Sequence, residues 1–380
     1  MSTTSKLFEP FTFANGLTLR NHIAMAPMTT WSANGDGTVS DDEVAYYRRR
    51  AKGVGLVLTG CTHVTQNGIG FTGEFASYDD RFTPSLRRLA DAAKSGGALA
   101  VLQIFHAGNK AEPTLTPDGE IVSASPVKAA AGPFNSGDVA PRALSQDEIL
   151  EVIAAFGEAT RRAIEAGFDG IELHGAHGFL LQNFLSPHYN QRHDQWGGSL
   201  ENRMRFPLAV VSEVKRVIAT SATQPFILGY RLSPEESEPG GLRIGEIYEL
   251  IDQLIAGEVD YVHASLSSVL EATPVDSNDG RTMAELISTR VAGRVPVIAA
   301  GQVRTSEQAE RSLALGVSMI AVGKGLVINP EWVDLAKSGN DNLIDDEIRT
   351  SKIPEIALPR NLWNVIEETR GWFKIRDDAA

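Results

Sequence analysis

Cysteine is nearly absent, and Cys61 is the only one in the 380-residue sequence. That excludes an intrachain disulfide, a cysteine-held iron–sulfur cluster and a cysteine-based zinc site. An excess of cations is missing too. The formal charge of −13 argues against nucleic acid or an anionic membrane as partner. It leaves room for a phosphorylated cofactor, which needs only a few local cations and backbone N–H groups. No apolar run approaches the ~20 residues that span a bilayer. The opening MSTTSKLFEPFTF lacks the long apolar stretch of a secretory signal. A soluble, cytoplasmic protein is expected. No GxGxxG follows a strand-like run, so a dedicated Rossmann nucleotide site is not expected.

What is present is an alternation. Apolar runs suited to strands buried on both faces begin at His22, Gly55, Ala98, Gly170, Phe226, Tyr261, Pro296 and Met319. Helix-period segments separate them. One runs from Asp41 to Lys52; another opens on Ser145–Gln146–Asp147–Glu148, which has capping-box spacing, and closes near Gly167. A third starts at Thr305 and stops at Gly316. Eight strand–helix units predict an α/β fold, a closed (β/α)8 barrel forming a single domain over residues 1–380. An open doubly wound sheet is the alternative. It would concentrate polar residues at one switch point, whereas here they end at least seven runs. Two stretches break the pattern: 108–144, after the third strand, reads as a small lid subdomain, and 266–281 as a second long loop. The tail, 353–376, carries Trp363, Trp372 and Phe373 and is expected to pack on the barrel.

Several residues carry chemistry. His174 and His177 can face one pocket only if the strand ends and the chain turns, which Gly175 and Gly178 permit. A metal would need a third ligand, and none has suggestive spacing, so no metal is expected. The pair then reads either as buried structural histidines or as donors to an anionic ligand atom. Gln103 ends the third strand with a donor and an acceptor. Arg231 ends the fifth in apolar surroundings and needs either a carboxylate such as Glu172 or an anionic ligand. The last two strands end in Gly301–Gln302 and Gly323–Lys324, the place where barrels bind phosphate.

These residues, in this order, resemble the Old Yellow Enzyme family of FMN-dependent ene-reductases, in its single-domain bacterial form. The match runs from Leu7 to about Trp332 and is densest over HGAHGFLLQNFLSPHYNQRHDQWGGSLENRMRF, with LRNHIAMAPMTT matching the family's first strand. The resemblance implies FMN as cofactor, NADH or NADPH as reductant and a small-molecule electron acceptor. It implies that Pro27, Met28 and Thr29 line the flavin ring and that Cys61 is a packing residue whose backbone approaches it. Gln103 would contact the pyrimidine edge, and Arg231 would face N1 and C2=O. Gly301, Gln302, Gly323 and Lys324 would hold the phosphate, and His174 and His177 would bind the acceptor's carbonyl oxygen.

Three positions depart from the family. Phe179 stands where a tyrosine usually protonates the substrate carbon, so enone reduction by that route is in doubt and water or Tyr189 would have to substitute. Lys324 replaces an arginine. Trp31 replaces a substrate-touching tyrosine. The tail's Thr369–Arg370–Gly371–Trp372 is similar to a bacterial tail whose arginine reaches a neighbouring subunit's site, which implies a substrate-binding Arg370 in a homo-oligomer. The expected activity is an NAD(P)H-dependent flavin oxidoreductase passing hydride to an electron-poor acceptor (α,β-unsaturated carbonyl, quinone or nitro compound). The alternatives are a barrel lyase or aldolase acting on a phosphorylated substrate, and a flavin-binding protein without efficient ene reduction.

Overall fold

The computed structural model describes residues 5–135, 137–276 and 279–378. Eight parallel strands close on themselves: β1 (Ile23–Met25), β2 (Leu56–His63), β3 (Leu99–Phe105), β4 (Gly170–Gly175), β5 (Ile227–Leu232), β6 (Tyr261–Ser265), β7 (Val297–Ala300) and β8 (Met319–Val322). The ring shuts where Ala24 of β1 pairs with Ala321 of β8. Each apolar run singled out in the sequence supplies one strand, so the (β/α)8 barrel is the observed architecture.

The helices follow in turn: α1 (Asp41–Arg50), α2 (Thr83–Lys94), α3 (Gln146–Ala166), α4 (Leu200–Ser221), α5 (Ile244–Ala256), α6 (Met283–Val291), α7 (Ser306–Ala314) and α8 (Trp332–Lys337). The expected capping box is present at α3, where Ser145 accepts from the Glu148 N–H and Glu148 reaches back to the Ser145 N–H. Gly167 ends that helix in a left-handed turn. The Thr305 cap opens α7.

Strand parity divides the core in two. Ile23, Met25, Val57, Leu102, Ile171, Leu173, Leu228 and Val262 face outward into the layer shared with the helices. Ala24, Leu56, Leu58, Val101, Ile227, Ile298, Met319 and Ala321 fill the barrel interior. A short hairpin, Phe11–Thr12 with Thr18–Leu19, plugs the N-terminal end by adding Phe13 and Leu19 to that interior. The upper interior is polar, and there the site begins.

The stretch from Gly108 to Leu144 holds 3-10 turns and a two-residue ladder between Val122–Ser123 and Arg142–Ala143. The loop after β6 lies against the strand 7 turn, where Ser267 O accepts from Gln302 Nε2 at 2.7 Å. The tail forms α9 (Arg360–Glu368) and then pairs Ile375–Arg376 with Ile348–Arg349. Among the described residues no helix is long and apolar enough to cross a membrane.

Candidate active site

The inward positions near the C-terminal ends of β3 to β6 are Gln103, Glu172, His174, Arg231, His263 and Ser265. Register brings them level: Gln103 pairs with Glu172, and Arg231 with both His174 and His263. Glu172 is fully buried and accepts three hydrogen bonds, from Gln103 Nε2 at 2.7 Å, Tyr261 Oη at 2.9 Å and His263 Nδ1 at 2.8 Å. Tyr261 reaches it through a gap that Gly229 leaves, since a Cβ there would lie 2.0 Å from the Tyr261 ring. Burial alone would raise the Glu172 carboxyl, but His263, Arg231 and Gln103 outweigh it and hold the group below its ordinary value. Burial in turn keeps His263 below the ordinary imidazole range, so it serves Glu172 as a neutral Nδ1–H donor.

Arg231 does not bridge directly to Glu172. Its Nη2 donates to Ser265 Oγ at 2.9 Å, and its Nε is buried with no partner among the described residues. Burial depresses its pKa and the Glu172 charge counters that. An unmatched donor on a buried cation is costly and marks a place for an anionic acceptor.

The histidines are brought together as the glycine-flanked turn predicts. β4 ends at Gly175, His177 adopts φ 60, and the two rings stand 5.0 Å apart, edge to face. His174 Nδ1 accepts the Ala176 N–H at 3.4 Å, which leaves Nε2–H as the donor. Desolvation and the cations around them hold both rings well below the ordinary imidazole value, His177 with its edge still open to the mouth. His177 Nε2 lies 2.7 Å from Ser265 Oγ, so one hydroxyl links it to Arg231. No group of His, Cys, Asp and Glu suited to a metal occurs among the described residues.

Beside this layer opens a cavity of about 530 Å³. Its wall is formed by Pro27 and Met28 after β1, Arg231 and Ser265, the Gly301–Gln302 turn with Arg304, and Gly323–Lys324. Gly60 allows the Met28 backbone to sit this low, because a Cβ there would lie 2.7 Å from Met28 O. Cys61 follows it, buried, with Sγ 3.4 Å from Thr29 Oγ1; burial pushes its thiol pKa well up, which suits packing rather than nucleophilic attack. The cavity fits FMN on the chemistry of its donors. One end offers the unpartnered guanidinium N–H, and the other offers two backbone turns and two cations, Arg304 and Lys324. Lys324 Nζ now donates to Trp372 O at 2.5 Å.

The rim is aromatic. Trp31, with φ 51, packs against Phe71, Phe134 and Trp372 at ring separations of 5.5, 5.3 and 5.8 Å. Phe179 is buried against the His174 and Phe105 rings, each at 4.9 Å. Tyr189 donates its hydroxyl proton to Glu238 at 2.9 Å, and burial together with that carboxylate raises its pKa, so it is a poor stand-in donor. Arg370 is exposed, while its neighbour Gly371 lines the cavity of the same chain. Sequence reading missed Arg304, Ser265, Tyr261 and His263. Each stands within or just beyond a run already recognised as a strand end, and parity along YVHAS would have turned Tyr261, His263 and Ser265 inward together.

Comparison with known proteins gives the family. The profile of the NADH:flavin oxidoreductase / NADH oxidase family covers residues 6–342. The probable NADH-dependent flavin oxidoreductase of Bacillus subtilis is 43% identical over 371 residues, 98% of either chain. An NADH:fumarate oxidoreductase of Klebsiella pneumoniae is 37% identical over 96% of this chain, which spans only 39% of that longer protein. Among solved structures, morphinone reductase superposes with a TM-score of 0.76 at 27% identity, covering 89% of this chain and 91% of its own. The chain therefore belongs to the NADH:flavin oxidoreductase / NADH oxidase family, the Old Yellow Enzyme group, and is an NAD(P)H-dependent flavin oxidoreductase with FMN as its cofactor.

Proposed function

We propose that the enzyme works in two half-reactions at one mouth. NADH or NADPH delivers its electrons and leaves, and an electron-poor acceptor then takes the same place. When bound, FMN relays a hydride from the nicotinamide to the acceptor. Pro27, Met28 and Thr29 support the ring, while Gln103, its amide nitrogen already oriented by Glu172, meets the pyrimidine edge. Arg231 supplies positive charge where negative charge grows on reduction, and Gly301, Gln302, Arg304, Gly323 and Lys324 hold the phosphate. Neutral His174 and His177 donate to the acceptor's oxygen and so draw electron density from its β-carbon. Trp31 and Phe179 wall the acceptor. We read 108–144, with Phe134 on Trp31, as the lid of a single-domain barrel, and 353–376 as a tail that closes the same mouth.

The observation that carries this reading is that Arg231 and the glycine turns line one 530 Å³ cavity whose wall, through Ser265 Oγ, meets the His177 ring. Relatives named for fumarate and acrylate reduction fit an activated carbon–carbon double bond as acceptor. Phe179 favours one second reading, a flavoprotein that turns over quinones or nitro compounds but not enones. Anaerobic stopped-flow decides. The yellow holoenzyme should bleach with NADH or NADPH and regain colour with 2-cyclohexenone, 1,4-benzoquinone or a nitroaromatic. Failure to bleach with either nicotinamide would overturn the cycle.

A further inference from the structure

Phe179 has no proton to give, yet a protic group stands beside it. Lys110 lies in the short turn Gly108–Lys110 that follows β3. Two bonds fix that turn: the Gly108 N–H donates to His106 Nδ1 at 3.0 Å and the Asn109 N–H to Asn183 Oδ1 at 3.1 Å. The Lys110 stem runs along Gly178, where a Cβ would come within 3.1 Å of Nζ. Nζ donates to His177 O at 2.7 Å and sits 6.0 Å from the centre of the Phe179 ring. One of three N–H bonds is thus spent on backbone, and among the described residues the ammonium forms no ion pair. The other protons nearby are committed or shut away. Tyr189 is tied to Glu238 and the Cys61 thiol is buried against Thr29, while Tyr230 Oη, unpartnered among the described residues, is sealed in the outer core behind the Gly175 backbone.

We propose that Lys110 is the acid that completes reduction of an activated double bond, a role the family assigns to a side chain at position 179. The inference rests on the carbonyl-acceptor reading given above. As the C=C π pair is consumed, the β-carbon gains the hydride drawn from NAD(P)H through the reduced cofactor. The α-carbon gains a proton from Nζ, and the neutral amine is then reprotonated by water. Burial holds the Lys110 pKa below the ordinary lysine value, and the Glu238 and Glu236 charges partly restore it. His174 and His177 are the other titratable groups facing it. A weakened ammonium is a better acid at neutral pH.

The test uses holoenzyme reduced with dithionite, so that the nicotinamide step is bypassed, and 2-cyclohexenone or 1,4-benzoquinone as oxidant. Lys110→Met should slow the limiting cyclohexenone rate by about 100-fold or more, within the usual span of general-acid catalysis. Quinone reoxidation, which places protons on oxygen, should fall less than about threefold by the same reasoning. The wild-type enone rate should decline as pH rises through the ammonium's pKa, and the variant's should not. Adding Phe179→Tyr to Lys110→Met should restore at least about tenfold, because a phenol then occupies the donor position. Three results overturn the proposal: an unchanged enone rate in Lys110→Met, equal losses with enone and quinone, or a loss confined to acceptor affinity. A wild-type enzyme that oxidises with quinone but never with cyclohexenone would instead sink the carbonyl-acceptor reading itself.

Discussion

Arg231→Met is expected to weaken FMN binding by about tenfold to a hundredfold and to lower the flavin's reduction potential, while the cofactor-free protein becomes no less stable. The two directions separate a ligand-binding cation from a structural one. A hydrogen bond to a charged group contributes roughly 1.5–3 kcal/mol, and each ~1.4 kcal/mol is a tenfold change in affinity. Without FMN the same guanidinium is a burden, buried with Nε unpartnered among the described residues and Nη2 on the neutral Ser265 hydroxyl. Methionine keeps the stem's volume and removes that penalty. The change does leave Glu172 without a nearby cation, but its three donors remain. FMN titration by fluorescence quenching, dye-equilibrated reduction and thermal melts of the apoprotein read the three quantities. A large drop in apoprotein melting temperature with unaltered FMN affinity would show that Arg231 serves the fold.

The second large effect is on acid stability, which should fall gently between about pH 6.5 and 4.5 and then collapse. His106, His174 and His263 are buried, and burial holds each below the ordinary imidazole pKa, His106 down to about 3. Below about pH 6.5 the unfolded chain therefore binds protons that the fold refuses, and stability is lost as pH falls. Two buried carboxyls oppose this. Desolvation raises Glu43 to about 7 and raises Glu74 as well, so as pH falls towards their unfolded values the fold takes up these protons first and offsets at most two of the three. Below about 4.5 that compensation is spent, while Glu172, held low, begins to lose its stabilising charge. Each uncompensated proton then costs about 1.4 kcal/mol per pH unit, so three of them act steeply. Circular dichroism melts at half-unit intervals, with FMN release followed by fluorescence, would show the shallow slope and the edge. A decline from pH 6.5 already as steep as that below 4.5 would mean that the Glu43 and Glu74 compensation is absent.

The barrel was legible because its strands are buried on both faces and announce themselves as apolar runs between capped helices. Ser145 and Gly167 bounded α3 from sequence alone. The histidine pair was legible for a similar reason, since only a chain turn could unite residues three apart. What sequence concealed depends on register across strands. Glu172 is one residue in an apolar run until Gln103, Tyr261 and His263 are brought level with it from three other strands. Lys110 and Phe179 lie 69 positions apart and meet because Asn183 pins the turn after β3. Tyr189 looked available for proton transfer until Glu238 was found on its hydroxyl.

The closed ring also sets an order in time. Ala24 acquires its neighbour Ala321 only after about 300 further residues have been made, and Trp372 reaches Trp31 and the Lys324 ammonium later still. At roughly 5–20 residues per second, β1 waits tens of seconds on the ribosome with an unpaired edge. Pro27 and Met28, the proposed flavin floor, and Gly301 and Gly323, the proposed phosphate turns, line one cavity from opposite ends of that interval. Cofactor capture thus waits until the last barrel strand is made, and the segment around Trp372, which lies on the cavity's Lys324, is made after every strand that forms the mouth.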